Sequence, residues 1–198
     1  MPLKEREDRL FQMISSDRFL NMRGLNSEVP FFICPFIPEE TIGMESTRRS
    51  LVQRLEQRNI TIKEINLYDL CIEILRKEDL WDQVLDVEPR WSKSKLMRTL
   101  QDALDPTTYL GPQIAELTAQ SKHDVLFLCG IGEVYPYIRS HNVLSNLQGR
   151  ITKKPVVLFF PGKYTDSQEN GMSLGLFGRL HGHAYYRASN IFDFEPSE

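Results

Sequence analysis

Three short runs in this chain are apolar almost without interruption: PFFICPF (residues 30–36), VLFLC within DVLFLCGIG (124–132) and PVVLFF (155–160). A strand with one wet face alternates apolar and polar residues, so a run without polar residues predicts a strand buried on both sides. Such strands need a layer on each face, which crossover helices supply when the strands are parallel. The intervening sequence fits. Residues 4–22 predict an amphipathic helix through Leu10, Phe11 and Ile14, and Pro38-Glu39-Glu40 opens a second helix that runs to about Arg58 and stops at Asn59. ITIKEINL (60–67) alternates and is rich in β-branched residues, predicting a strand with one wetter face. From Tyr68 to Gln120 the pattern is helical, cut by Pro89, Pro106 and Pro112. A helix is predicted over Tyr135–Leu147 with its end near Gly149, the fourth strand stops at Pro161-Gly162, and a polar, turn-rich stretch covers 163–171. AYYRASNIF (184–192) predicts a fifth strand. The expected fold is α/β: a three-layer, doubly wound, mostly parallel sheet of about five strands with helices on both faces. We expect a single domain over residues 1–198, with a helical insertion or subdomain at approximately 68–121.

Composition narrows the function classes. A net charge of −3 gives no global basic field to draw the chain onto DNA or an anionic membrane. The N-terminal residues are charged where a signal peptide would be apolar, and no apolar run approaches the roughly 18–20 residues of a membrane span, so a cytoplasmic protein is expected. Cys34, Cys71 and Cys129 have neither CxxC nor Cys/His ligand spacing and read as buried, reduced thiols.

In a doubly wound sheet, ligands bind beyond the carboxyl ends of the strands, so chemistry is sought in those loops. The loop after the first strand, CPFIPEET, carries two prolines and two glutamates where a phosphate loop needs free N–H groups and positive charge. Those acids read as complements to a helix dipole. Gly130-Ile131-Gly132-Glu133 reads as a strand-to-helix turn, and Lys163 after Pro161-Gly162 as a solvated lysine. His181-Gly182-His183 has ligand-like spacing but lacks the third and fourth ligands that zinc requires; His123 and His141 lie in other segments. No GxSxG, GxGxxG or GxxxxGK[ST] occurs. No catalytic residue, cofactor or metal is expected. Arg90, Lys93, Lys95 and Arg98 cluster beside Trp91 and read as a solvated helix face, with a DNA-binding patch as the alternative. A degenerate nucleotide site is the other alternative, favoured by the strand–helix alternation and Lys163.

What remains is a surface signal. SLGLFGRLHGHAYYRASNIF concentrates Phe177, Arg179, Tyr185, Tyr186 and Arg187, residue types that combine apolar area with directed hydrogen bonds and recur at protein interfaces. These five are the candidate partner-binding residues.

The order and spacing of PVVLFFPGKYT, SLGLFGRL and AYYRASNIF, with DVLFLCGIGEVYPYIRSHNVLSNL and FFICPF upstream, resemble the BrxB family, a small component of bacterial BREX (bacteriophage exclusion) defence systems. The resemblance runs from about Asp8 to Phe194; the loop KYTDSQENG is longer than the family's compact turn. It implies a non-enzymatic accessory subunit that contacts PglZ, the alkaline-phosphatase-like BREX component, and the large BREX ATPase, without membrane or direct DNA binding and with self-association left open. It also implies a P-loop-like core that has lost its phosphate loop.

Overall fold

The computed structural model describes residues 1–22, 31–151, 154–167, 171–178, 180–181 and 188–194. The three apolar runs become the centre of a parallel sheet: β1 (Phe31–Phe36), β3 (Val125–Cys129) and β4 (Val156–Ser167). With β2 (Ile62–Asn66) and the two-residue β7 (Ser189–Asn190), the strand order is β2-β3-β4-β1-β7, all pairs parallel. The expected α/β sheet is therefore present, with β4 in the middle.

Period-two alternation divides each central strand between two cores. Phe31 and Ile33, Leu126 and Leu128, and Val156, Leu158 and Phe160 face one side. Phe32, Cys34 and Phe36, Val125, Phe127 and Cys129, and Val157 and Phe159 face the other. The first side is covered by α4 (Leu67–Lys77), α7 (Gly111–Ala119) and α8 (Ser140–Gln148). The second is covered by α1 (Leu3–Ile14), α2 (Asp17–Leu20) and α3 (Thr41–Glu56). Each fully buried Leu, Ile or Phe side chain contributes roughly 1.5–3 kcal/mol, so the sheet is held from both faces. The connection from β1 to β2 passes over one face through α3, and the return from β2 to β3 passes over the other through α4 to α7. Opposite directions over opposite faces give both crossovers the same hand, as twisted parallel sheets require.

Local sequence sets the boundaries. Asn59 ends α3 at φ +60°, a left-handed cap that Asn tolerates. The Asn66 side chain caps α4, accepting from Tyr68 N–H at 2.8 Å, and Ser16 caps α2 through Phe19 N–H. The helical middle contains, besides α4 and α7, α5 (Trp81–Val87), α6 (Lys93–Ala103) and a π-helical turn at Pro106–Leu110.

Four boundaries differ from the sequence expectation. The helix over 4–22 breaks at Ser15-Ser16 into α1 and α2. The helix expected from Tyr135 starts at Ser140: Ile131, Val134 and Ile138 are buried against the sheet, and this packing holds 130–139 in turns, with a cis Tyr135–Pro136 peptide. β4 does not stop at Pro161-Gly162 but continues to Ser167, forming a hairpin with β5 (Gly171–Leu176), which pairs in turn with β6 (Leu180–His181). Proline is tolerated because β4 changes partners there: pairing with β1 ends at Phe36 opposite Pro161, and pairing with β5 begins at Gly162 opposite Leu176. Of the expected strand 184–192, Ser189–Asn190 is strand and Ile191–Asp193 is a 3-10 turn, while 184–187 lie outside the described residues.

Candidate functional site

A cleft of about 360 Å³ opens at the carboxyl ends of β1, β2 and β3, beside Phe159 and Pro161 of β4, where this topology places ligands. One wall is the first half of α3, with Thr41, Met44, Glu45 and Arg48; the other is the turn Gly130–Glu133 after β3. Phe36, Asn66, Cys129, Phe159 and Pro161 form its floor, and Phe177, at the turn between β5 and β6, lies at its edge.

The turn is built from close approaches. Gly130 has φ +78°, and a Cβ on it would lie 2.4 Å from Asn66 Oδ1, the atom that caps α4. Both the backbone angle and the space require glycine there. A Cβ on Gly132 would lie 2.8 Å from the Pro161 ring and 3.2 Å from the Phe177 ring. Phe177 N–H donates to the Pro161 carbonyl at 2.9 Å, and its ring meets Tyr135 edge-on at 6.3 Å between centroids. Phe177 itself has φ +54°, a left-handed conformation that costs a bulky residue about 1–2 kcal/mol, and its side chain remains 37% exposed.

The charged groups around the cleft are largely engaged. Arg48 pairs with Glu64 on β2, and Glu45 with Arg49 one turn along α3. Glu40, expected only to complement a helix dipole, accepts from Arg6 of α1 at 2.7 Å, so the acidic loop after β1 also ties α1 to α3. Burial pushes the Cys129 thiol up, with Arg48 partly opposing and Glu133, Asp69 and Glu45 reinforcing the shift; the thiol points at the Ile65 carbonyl at 3.7 Å. Burial likewise pushes Cys71 up to about 12, and Cys34 up to about 12 against the field of Arg6. Protonated, enclosed thiols of this kind are poor nucleophiles.

Of the five candidate partner-binding residues, Phe177 is placed at the cleft, while Arg179, Tyr185, Tyr186 and Arg187 lie outside the described residues. Lys163 is exposed on the β4–β5 hairpin, opposite Gly175, and does not line the cleft. His181 belongs to β6 and His183 lies outside the described residues; His123 sits beside the amino end of β3, its Nδ1 3.0 Å from the Ser121 carbonyl, and His141 is on α8. Among the described residues, no group of three or more His, Cys, Asp or Glu side chains is placed to hold a metal, and no helix is long and apolar enough to cross a membrane. Sequence reasoning passed over Asn66 and the α3 wall. Asn66 carried a usable signal, an Asn between a strand and an apolar helix, whereas Arg48 is defined by its partner Glu64, sixteen residues on, which periodicity does not reveal.

A family model described as "BREX protein BrxB" matches residues 63–191, well over half of the chain. The chain belongs to the BrxB family. The sequence resemblance is thereby borne out, and it extends beyond the matched segment. The chain is 30% identical to BREX protein BrxB of Bacillus cereus (strain H3081.97) over 193 residues, covering 96% of this chain and 98% of that protein. It is 25% identical to BREX protein BrxB of Escherichia coli O9:H4 (strain HS) over 189 residues, covering 96% and 91%. No solved structure matches it. Family members from these two bacteria thus align with the present chain nearly end to end, β1 and the cleft included.

Proposed function

We propose that this chain is a non-enzymatic accessory subunit of a BREX anti-phage defence assembly in the bacterial cytoplasm, and that it acts as an adaptor whose main partner is PglZ, with the large BREX ATPase as a further partner. The observation that carries this reading is Phe177: an aromatic side chain held at positive φ, braced by Gly132 and Tyr135, and still exposed at the edge of the strand-end cleft. Backbone strain of that kind persists where a side chain must be presented, and rigid aromatic anchors dominate binding energy at interfaces. Arg179, Tyr185, Tyr186 and Arg187, which follow in sequence, are proposed as further partner-binding residues. The engaged charges and the raised Cys129 thiol at the cleft suit a docking surface better than a reaction centre.

The purified chain and PglZ from the same operon, mixed at micromolar concentration, should co-elute in gel filtration at moderate salt. Phe177→Ala should weaken the complex by about 1–4 kcal/mol without unfolding the chain. Separate elution of the two wild-type proteins would sink the PglZ reading.

The position of the cleft, with the positive-φ turn at Gly130, favours one second reading, a residual nucleotide site. Millimolar ATP or GTP with magnesium would then raise the melting temperature, and an unchanged temperature rejects it.

A further inference from the structure

Outside the cleft, α5 and α6 differ from the other α-helices of the described residues. Neither contributes a buried residue, although Trp81, Val84, Leu85 and Val87 on α5 and Leu96, Met97 and Leu100 on α6 are apolar. On α6, Leu96, Met97 and Leu100 share one face by helical spacing and are all half-exposed. Leu85 is 47% exposed. Between these helices and α4 runs a groove of about 310 Å³, floored by Leu75, Trp81, Leu85, Leu96 and Leu100, with Glu88 at its edge. An apolar groove between helices, its walls left half wet, is the geometry that takes the apolar face of another helix.

Charge defines the occupant further. Residues 90–98 hold Arg90, Lys93, Lys95 and Arg98 and no acid, on a chain whose net charge is −3. α5 and its end carry the opposite sign, with Asp82, Asp86 and Glu88. We propose that the α5–α6 groove docks an amphipathic helix of a partner protein, with apolar anchors in the groove and acidic residues along the flank that meets α6. The inference rests on the adaptor reading and supplies it with a second surface, distinct from the Phe177 cleft. Nucleic acid fits this patch less well, because phosphates gain nothing from an apolar floor.

The test uses the full chain with purified PglZ and, separately, the purified BREX ATPase. Leu85→Asp and Leu96→Asp should each weaken binding to one of these partners about tenfold or more, while far-ultraviolet circular dichroism and melting temperature stay near wild type. Lys93→Glu with Arg98→Glu should slow association with that partner and flatten its salt dependence. Wild-type affinity of these folded variants for every partner that binds would overturn the groove alone, leaving the adaptor reading standing. Failure of the wild-type chain to bind either protein would overturn both. Two further results would overturn the proposal: duplex DNA binding that is lost in Lys93→Glu but kept in Leu85→Asp, and a homodimer in light scattering that Leu85→Asp dissolves.

Discussion

Gly130 at the cleft and Cys34 in the core show how single residues bear on the stability of the fold. Gly130 meets two constraints at once, a left-handed φ and an approach to Asn66 Oδ1 that no Cβ could share. Gly130→Ala should therefore cost about 1–3 kcal/mol in urea unfolding, because it strains the turn and disturbs the α4 cap together. The thiols make a pH prediction. Cys34 and Cys71 titrate near 12 in the fold, against 9.0 for an unhindered thiol. Between those values the unfolded chain gives up protons that the folded chain keeps, so stability present below about pH 9 is lost as the pH rises toward 12. Denaturant midpoints measured across that range should fall, and Cys34→Ala should make the decline shallower. In native buffer at pH 8, a disulfide reagent should find the three buried thiols slow to react and all three free once the chain is unfolded.

At the level of elements, Gly162 is where β4 leaves one sheet partner for another, and a Cβ there would lie 2.3 Å from the Gly175 carbonyl oxygen. Gly162→Val should pry the β4–β5 hairpin open and spare the parallel ladder. Hydrogen exchange checks this: amides of Leu174 to Leu176 should lose protection while those of Phe32 to Cys34 keep it. The same junction shows what the sequence could and could not disclose. β1, β3 and the first half of β4 were legible because doubly buried strands leave an unbroken apolar run, and β2 because an edge strand alternates. The second half of β4 was hidden, since Lys163, Thr165 and Asp166 look like loop residues and the pairing that makes them a strand lies with Ser173 and its neighbours. The start of α8 was hidden for a related reason: Val134 and Ile138 pack against the sheet, and tertiary burial overrode a plausible helical spacing. At the site, glycines marked the turn, but nothing local announced that the Phe177 ring would lie across Gly132.

Across the whole molecule, the sheet separates two apolar cores that share every central strand, one face of each residue pair feeding each core. Neither core can be lost without stripping one side of β1, β3 and β4. We read the chain as one domain on this ground and expect a single calorimetric transition with matching van't Hoff and calorimetric enthalpies; two resolved transitions would count against it. β4 lends that shared framework a mechanical property. The strand is the middle one of the sheet, and its far half pairs with β5, which leads directly into Phe177 beside Pro161. A load applied at the hairpin is thus passed down a continuous backbone into the centre of the sheet, where β3 and β1 flank the strand on both sides. The hairpin is a handle forged in one piece with the body of the sheet.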